Sequence, residues 1–134
     1  MFKKKTLCDN INNIQKKGGN EMSDNIDNLD TIESNLNYLT ENHGEIYEAY
    51  AKFGKLVHEK GGPLDEKTRW LIKIALSTDG QYEYALRTHI QKALKNGCTK
   101  EEIEHAILLV APTSGFPKMM KGILILRHIL GEVE

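Results

Sequence analysis

The chain has 134 residues, of which 18 are basic and 19 acidic, leaving a formal net charge of −1; 40% of it is hydrophobic. That length suits one domain with a modest core. A charge near zero sets up no field that favours nucleic acid, and no run approaches the roughly 18 consecutive apolar residues of a membrane span.

Cys8 and Cys98 are far apart and form no CxxC pair, so neither a disulfide framework nor a structural zinc site is indicated. The opening MFKKKTLCDNI has the basic start of an export signal but no apolar stretch after it, so the cytoplasm is the expected compartment. Residues 1–24 read as a disordered or mis-assigned N-terminal extension, with five lysines, several asparagines and a Gly18-Gly19 break. Gly-Gly can be encoded by a purine-rich ribosome-binding sequence, and here it lies two codons before Met22. Translation is therefore expected to begin at Met22, and residues 25–134 are expected to form the folded domain.

From Asp30 the chain reads as helix after helix. Ile32, Leu36 and Leu39 predict a short first helix ending near Asn42-His43-Gly44. A second, about Glu45 to Lys60, carries Ile46, Tyr50, Phe53 and Val57 as its expected buried stripe and stops at Gly61-Gly62. Asp65 is placed to cap a third helix, whose apolar positions are Leu71, Ile74 and Ala75.

The stretch from Gly80 to Gly97 predicts a fourth helix with Ala85, Leu86, His89, Ile90, Ala93 and Leu94 on one face. Glu83 and Arg87 are spaced to pair on its outer side, and Gly97 supplies a left-handed stop. Thr99 and Glu102 have the spacing of a capping box for a fifth helix, buried through Ile103, Ala106, Ile107 and Val110. Pro112-Thr113-Ser114-Gly115 breaks it. Pro117 then suits the first turn of a sixth helix carrying Met120, Ile123, Leu124 and His128. No segment alternates with period two, so the fold class is all-α, a compact bundle of about six helices.

His89 sits mid-face between Ala85 and Ala93, a titratable ring beside small neighbours. It is the candidate catalytic acid or base. Packing alone also explains a histidine at that spacing. Tyr82 either lines a pocket or packs as an ordinary aromatic, and Trp70 suits core or interface as well as a ligand wall. Thr113 and Ser114 offer hydroxyls at the start of the sixth helix, where plain capping is the expected role and an anion site the alternative. The other histidines lack metal-ligand spacing, so no metal is expected.

The order of signals has a precedent. Leu64-Asp65-x-Lys67-Thr68-Arg69, a buried helix, a histidine helix ending in ALKNG, Thr99-x-x-Glu102-Ile103 and Gly115-Phe116-Pro117 together resemble the carboxymuconolactone decarboxylase family, which includes the alkylhydroperoxidase D-like proteins. The resemblance runs from about Tyr50 to Leu130. It implies an all-helical subunit that self-associates, as a trimer or hexamer, with sites near subunit contacts, no cofactor, and a small molecule as partner rather than nucleic acid or membrane.

Alkylhydroperoxidase D-like members carry a CxxCxxxH motif on the histidine helix and a glutamate on the helix before it, giving peroxiredoxin-type activity. Here the histidine position is His89, but Tyr82 and Ala85 hold the cysteine positions and Trp70 the glutamate position. With no thiolate there is no peroxidatic nucleophile. Cys98, past the helix end, reads as a small buried filler.

The decarboxylase branch also lacks the cysteine pair and keeps the histidine. The resemblance therefore implies decarboxylation or isomerisation of a small carboxylate or lactone, with His89 moving the proton and Arg69 or Arg87 available for a carboxylate. A non-catalytic oligomeric binding or scaffold role is the other reading.

Overall fold

The computed structural model describes residues 29–134, which fall into two compact units divided between Gly44 and Glu45. The expected Met22 start and the 1–24 extension lie outside the described residues. Among the described residues every regular element is helical: α1 Leu29–Asn42, α2 Gly44–Lys60, α3 Glu66–Asp79, α4 Glu83–Lys95, α5 Lys100–Leu108, the single turn α6 Ala111–Ser114, and α7 Phe116–Ile129. No helix among them is long and apolar enough to cross a membrane. In the first unit, α1 keeps Leu36 and Leu39 half-buried, and Asn42 Nδ2 closes its last turn on the Tyr38 carbonyl at 2.9 Å.

Local chemistry sets the boundaries in the second unit. Asp65 caps α3, accepting from the Thr68 amide at 2.8 Å. At the head of α5 the capping box closes both ways: the Glu102 amide donates to Thr99 Oγ1 at 3.1 Å, and the Thr99 amide donates to Glu102 Oε2 at 2.9 Å. The second oxygen of Glu102 takes Lys67 at 2.9 Å, tying the start of α5 to the first turn of α3. Gly97 ends α4 at φ +89°. Gly115, at φ 115° and ψ 147°, turns the chain from α6 into α7 through a conformation that side chains all but exclude.

The core is one cluster shared by four helices. Trp70 and Ile74 from α3 meet Leu86, Ile90 and Ala93 from α4, Ile103, Ala106 and Ile107 from α5, and Met119, Ile125 and Leu126 from α7. Ile74, Ile90, Ala93, Ile103 and Ile107 are sealed completely from solvent. Two buried hydroxyls of α3 are satisfied within it. Thr78 Oγ1 donates to the Ile74 carbonyl at 2.8 Å, and Ser77 Oγ reaches His89.

Three expectations are corrected. The stripe Ile46, Tyr50, Phe53 and Val57 of α2 is not buried: these residues are between 55% and 71% exposed, and α2 buries none of its side chains. A period-3.6 stripe marks a face that wants an apolar partner without saying that the same chain supplies it.

The buried face of α7 is turned by one position, to Met119, Gly122, Ile125 and Leu126, leaving Met120 and Leu124 exposed. Gly122 is the reason. A Cβ there would lie 2.8 Å from both Ile107 Cγ2 and Thr78 Cγ2, so the bare glycine lets α7 close on α5 and α3. An apolar stripe counted by side chains passes over such a residue.

Arg87, expected to point outward, is largely buried. It holds Glu83 at 3.1 Å and lies 3.2 Å from His128 Nδ1, while Lys121 reaches the other Glu83 oxygen at 3.4 Å. Burial alone would raise the Glu83 pKa, but the hydrogen bonds from Arg87 and Lys121 outweigh it and hold the carboxyl below its ordinary value. The pair thus joins α4 to α7.

Replacing Gly122 by alanine is expected to cost about 1–3 kcal/mol through overpacking. That should lower the melting temperature by several degrees in a calorimetric scan, whereas Gly62→Ala, which meets no atom within 4 Å, should change it little.

Candidate functional site

Where α3 and α4 pack together, His89 is half-buried, and its Nδ1 lies 3.0 Å from the buried Ser77 Oγ. The two groups share one proton between them, and which one donates follows the imidazole tautomer. The ring also shares a hydrogen bond with the Lys73 backbone, so two groups one turn apart on α3 hold it.

The ring centroid of Trp70 lies 5.9 Å from that of His89, and the ring of His58 lies 4.4 Å from Trp70. Two ammoniums lie over the same indole, Lys73 at 4.8 Å from the ring centroid and Lys92 at 5.5 Å. One tryptophan is thus ringed by two imidazoles and two lysines.

The electrostatics follow from this crowding. Burial, then the charges of Lys73 and Lys92, pushes the His89 pKa down, against a hydrogen bond to the Lys73 backbone; His58 adds to the depression. Burial and the charges of Lys73 and Arg69 likewise lower His58, against the weaker pull of Glu66 and Glu59. Lys73 is itself lowered by burial and by Lys92 and Arg69. Among the described residues Arg69, Lys73 and Lys92 make no ion pair, while Lys67, Arg87, Lys100, Lys118, Lys121 and Arg127 all do.

The remaining sequence candidates are more dispersed. Ala85 is half-buried on α4, one turn before His89. Tyr82 caps the start of α4, 67% exposed, with its ring lying over Gly80, where a Cβ would meet it at 2.3 Å. Thr113 is exposed on α6. The Ser114 hydroxyl, with Lys118 at 3.5 Å, keeps the Asp79 carboxyl below its usual range, so Ser114 fastens α6 to the end of α3.

Of the residues expected around His89, the structure therefore brings Trp70 to its ring. It adds Ser77, His58, Lys73 and Lys92, which sequence reasoning missed. Ser77 and Lys73 had one available signal: both lie on the α3 face that Trp70 and Ile74 bury. His58 had none, because its helix shows no buried face.

Cys98 is buried, its thiol donating weakly to the Lys67 carbonyl at 3.8 Å, and burial foremost raises its pKa. It is a packed, protonated thiol rather than a nucleophile.

An all-helical subunit with a half-buried histidine at the junction of two core helices defines the class. The chain belongs to the carboxymuconolactone decarboxylase family, whose model matches residues 44–128. It is similar to the uncharacterized protein MJ1511 of Methanocaldococcus jannaschii, 29% identical over 72% of this chain and 90% of that protein. It also resembles an uncharacterized 15.0 kDa protein from the nqo9-nqo10 intergenic region of Paracoccus denitrificans, at 37% identity over 61% of each chain. Among solved structures, apo-lpg0406, a carboxymuconolactone decarboxylase family protein from Legionella pneumophila, superposes with a TM-score of 0.68 at 23% identity, covering 78% of this chain and 93% of that one. That likeness establishes the shared fold.

Both imidazoles have a folded-state pKa below the ordinary 6.5, so the unfolded chain binds their protons more readily. Their contribution to stability is present above about pH 6.5 and is lost as the pH falls below it. The melting temperature is expected to fall between about pH 7.5 and 5.5. A His58→Gln, His89→Gln double variant should show a flatter profile over the same range; an unchanged slope would refute the assignment.

Proposed function

We propose that the protein carries out acid/base chemistry, decarboxylation or isomerisation, on a small carboxylate or lactone, with His89 as the proton carrier. The observation that supports this reading is the setting of His89. Its Nδ1 is steadied by Ser77, and its pKa is depressed by burial and by the charges of Lys73 and Lys92. A depressed pKa leaves the ring neutral at neutral pH, so it starts as a base. It takes a proton from a carbon next to a carboxylate or carbonyl, and the imidazolium so formed returns the proton at the shifted position. In a decarboxylation the same ring, once protonated, supplies the proton that replaces departing CO2. Nearby positive charge favours both routes, because negative charge gathers on the substrate in the transition state.

A thiol peroxidase is not favoured, since Tyr82 and Ala85 occupy the thiol positions of the peroxidase relatives and Cys98 is packed away. The exposed Ile46, Tyr50 and Phe53 of α2 support self-association as a trimer or hexamer through this face.

Against a panel of lactone carboxylates and unsaturated small acids, His89→Ala is expected to lower turnover by about 10²–10⁴-fold while the protein stays folded. A panel silent with the unaltered protein would instead favour the non-catalytic binding role. In light scattering the protein is expected to run as a trimer or hexamer. Phe53→Glu, placed on a residue outside the core, should shift it to smaller species; a monomer before any substitution would refute the assembly.

A further inference from the structure

The loop between α2 and α3 closes over an open groove of about 440 Å³ whose wall is mostly apolar, from Val57, Leu64, Ile72 and Leu76. Its polar lining is all basic: Arg69, Lys73 and His58. Neither Arg69 nor Lys73 has an acidic partner among the described residues, and their charges depress the titration of their neighbours. Arg69 spends one terminal nitrogen on the Leu64 carbonyl at 3.1 Å, which anchors the guanidinium at the groove.

Three polar atoms on these lining residues are shut away from solvent with nothing to bond: Nδ1 and Nε2 of His58 and Nε of Arg69. A neutral imidazole carries one donor and one acceptor, so two donors, one on His58 and Nε of Arg69, are left here without an acceptor.

We propose that this groove is a binding site for an organic carboxylate with an apolar body. Arg69 and Lys73 supply the charge, and Val57, Leu64, Ile72 and Leu76 bury the hydrocarbon. The argument is charge complementarity. Two unpaired cations on an apolar wall repel each other until an anion joins them, and an apolar body gains from the wall what a hydrated inorganic ion does not. Trp70 links the groove to the proposed reaction, since Lys73 lies over its ring and the rings of His58 and His89 lie 4.4 and 5.9 Å from it. The groove thus rests on the acid/base reading as the place that holds the substrate's carboxylate, but its binding does not need His89.

Trp70 is the only tryptophan in the chain, so its fluorescence reports on this site alone. The full chain would be titrated with cyclohexanecarboxylate, its uncharged carboxamide, and inorganic phosphate. A saturable change with the carboxylate is expected, with the amide and phosphate each binding at least about tenfold more weakly. Lys73→Gln and Arg69→Gln should each weaken the carboxylate about tenfold or more, and Lys73→Arg should retain most of the binding. Lys95→Gln, at an exposed lysine outside the groove, should bind as the unaltered protein does. Circular dichroism melts confirm that each variant is folded.

Equal binding of acid and amide, indifference to Lys73→Gln, or no saturable response would overturn the proposal, the last leaving the groove to a subunit contact. Binding of phosphate as tight as that of the carboxylate would overturn the apolar-body requirement. Carboxylate binding without any turnover would sink the acid/base reading while the groove stands. Turnover without carboxylate preference would sink the groove alone.

Discussion

The packing of α3 on α4 is the constraint from which the rest of this molecule follows. Ile74 and Ile90 meet at zero solvent exposure, and Leu86, Ala93 and Trp70 close around them. Because interiors are packed like solids, that joint leaves little freedom for the polar groups carried beside it. Ser77, one turn after Ile74, finds its partner across the interface in the ring of His89, where Thr78 beside it bonds within its own helix. The orientation of the candidate proton carrier is therefore a by-product of apolar burial. The hydrophobic contact holds the helices, and the hydrogen bond then selects the ring's position at little further cost in entropy.

The same joint explains the site's charge. Lys73 and Lys92 sit on the two helices that the core brings together, and both ammoniums lie over one indole. Apolar packing forces like charges near each other, and the aromatic face offsets part of the repulsion. Among the described residues neither lysine forms an ion pair with a carboxylate. An uncompensated positive field beside a depressed imidazole suits an anionic substrate, and it disfavours a cationic one. Several other basic side chains are spent on structural pairs: Lys67 on α5, Arg87 and Lys121 on Glu83, Lys118 on Asp79.

The unit from Glu45 onward is incompletely buried in a revealing way. Phe53, Tyr50 and Ile46 on α2 stand in solvent together with Leu64, Ile72 and Leu76, while α3, α4, α5 and α7 satisfy one another. A small domain has more apolar surface than its own core can absorb, and a second surface is the usual resolution. The candidate groove lies beside this exposed region, at the end of α2. Self-association and substrate access would then share one side of the molecule.

What could be read from residues alone was what local chemistry decides. The caps at Asp65 and Thr99, the stop at Gly97, the break at Gly115 and the faces of α4 and α5 depend on groups a few residues apart, and each was legible. His89 was legible as a titratable ring on a buried face, and the absence of thiols at Tyr82 and Ala85 followed from the residues themselves.

Tertiary structure decided the rest. Gly122 turned the inward face of α7 because close approach is a property of two helices and not of one. Whether the α2 stripe is covered depends on partners its spacing cannot name. His58 came to Trp70 from a helix with no buried face, and Ser77 and the two lysines came to His89 from positions that no periodicity distinguishes from ordinary surface or core. Periodicity records which residues share a face; only the packing of faces records which residues share a site.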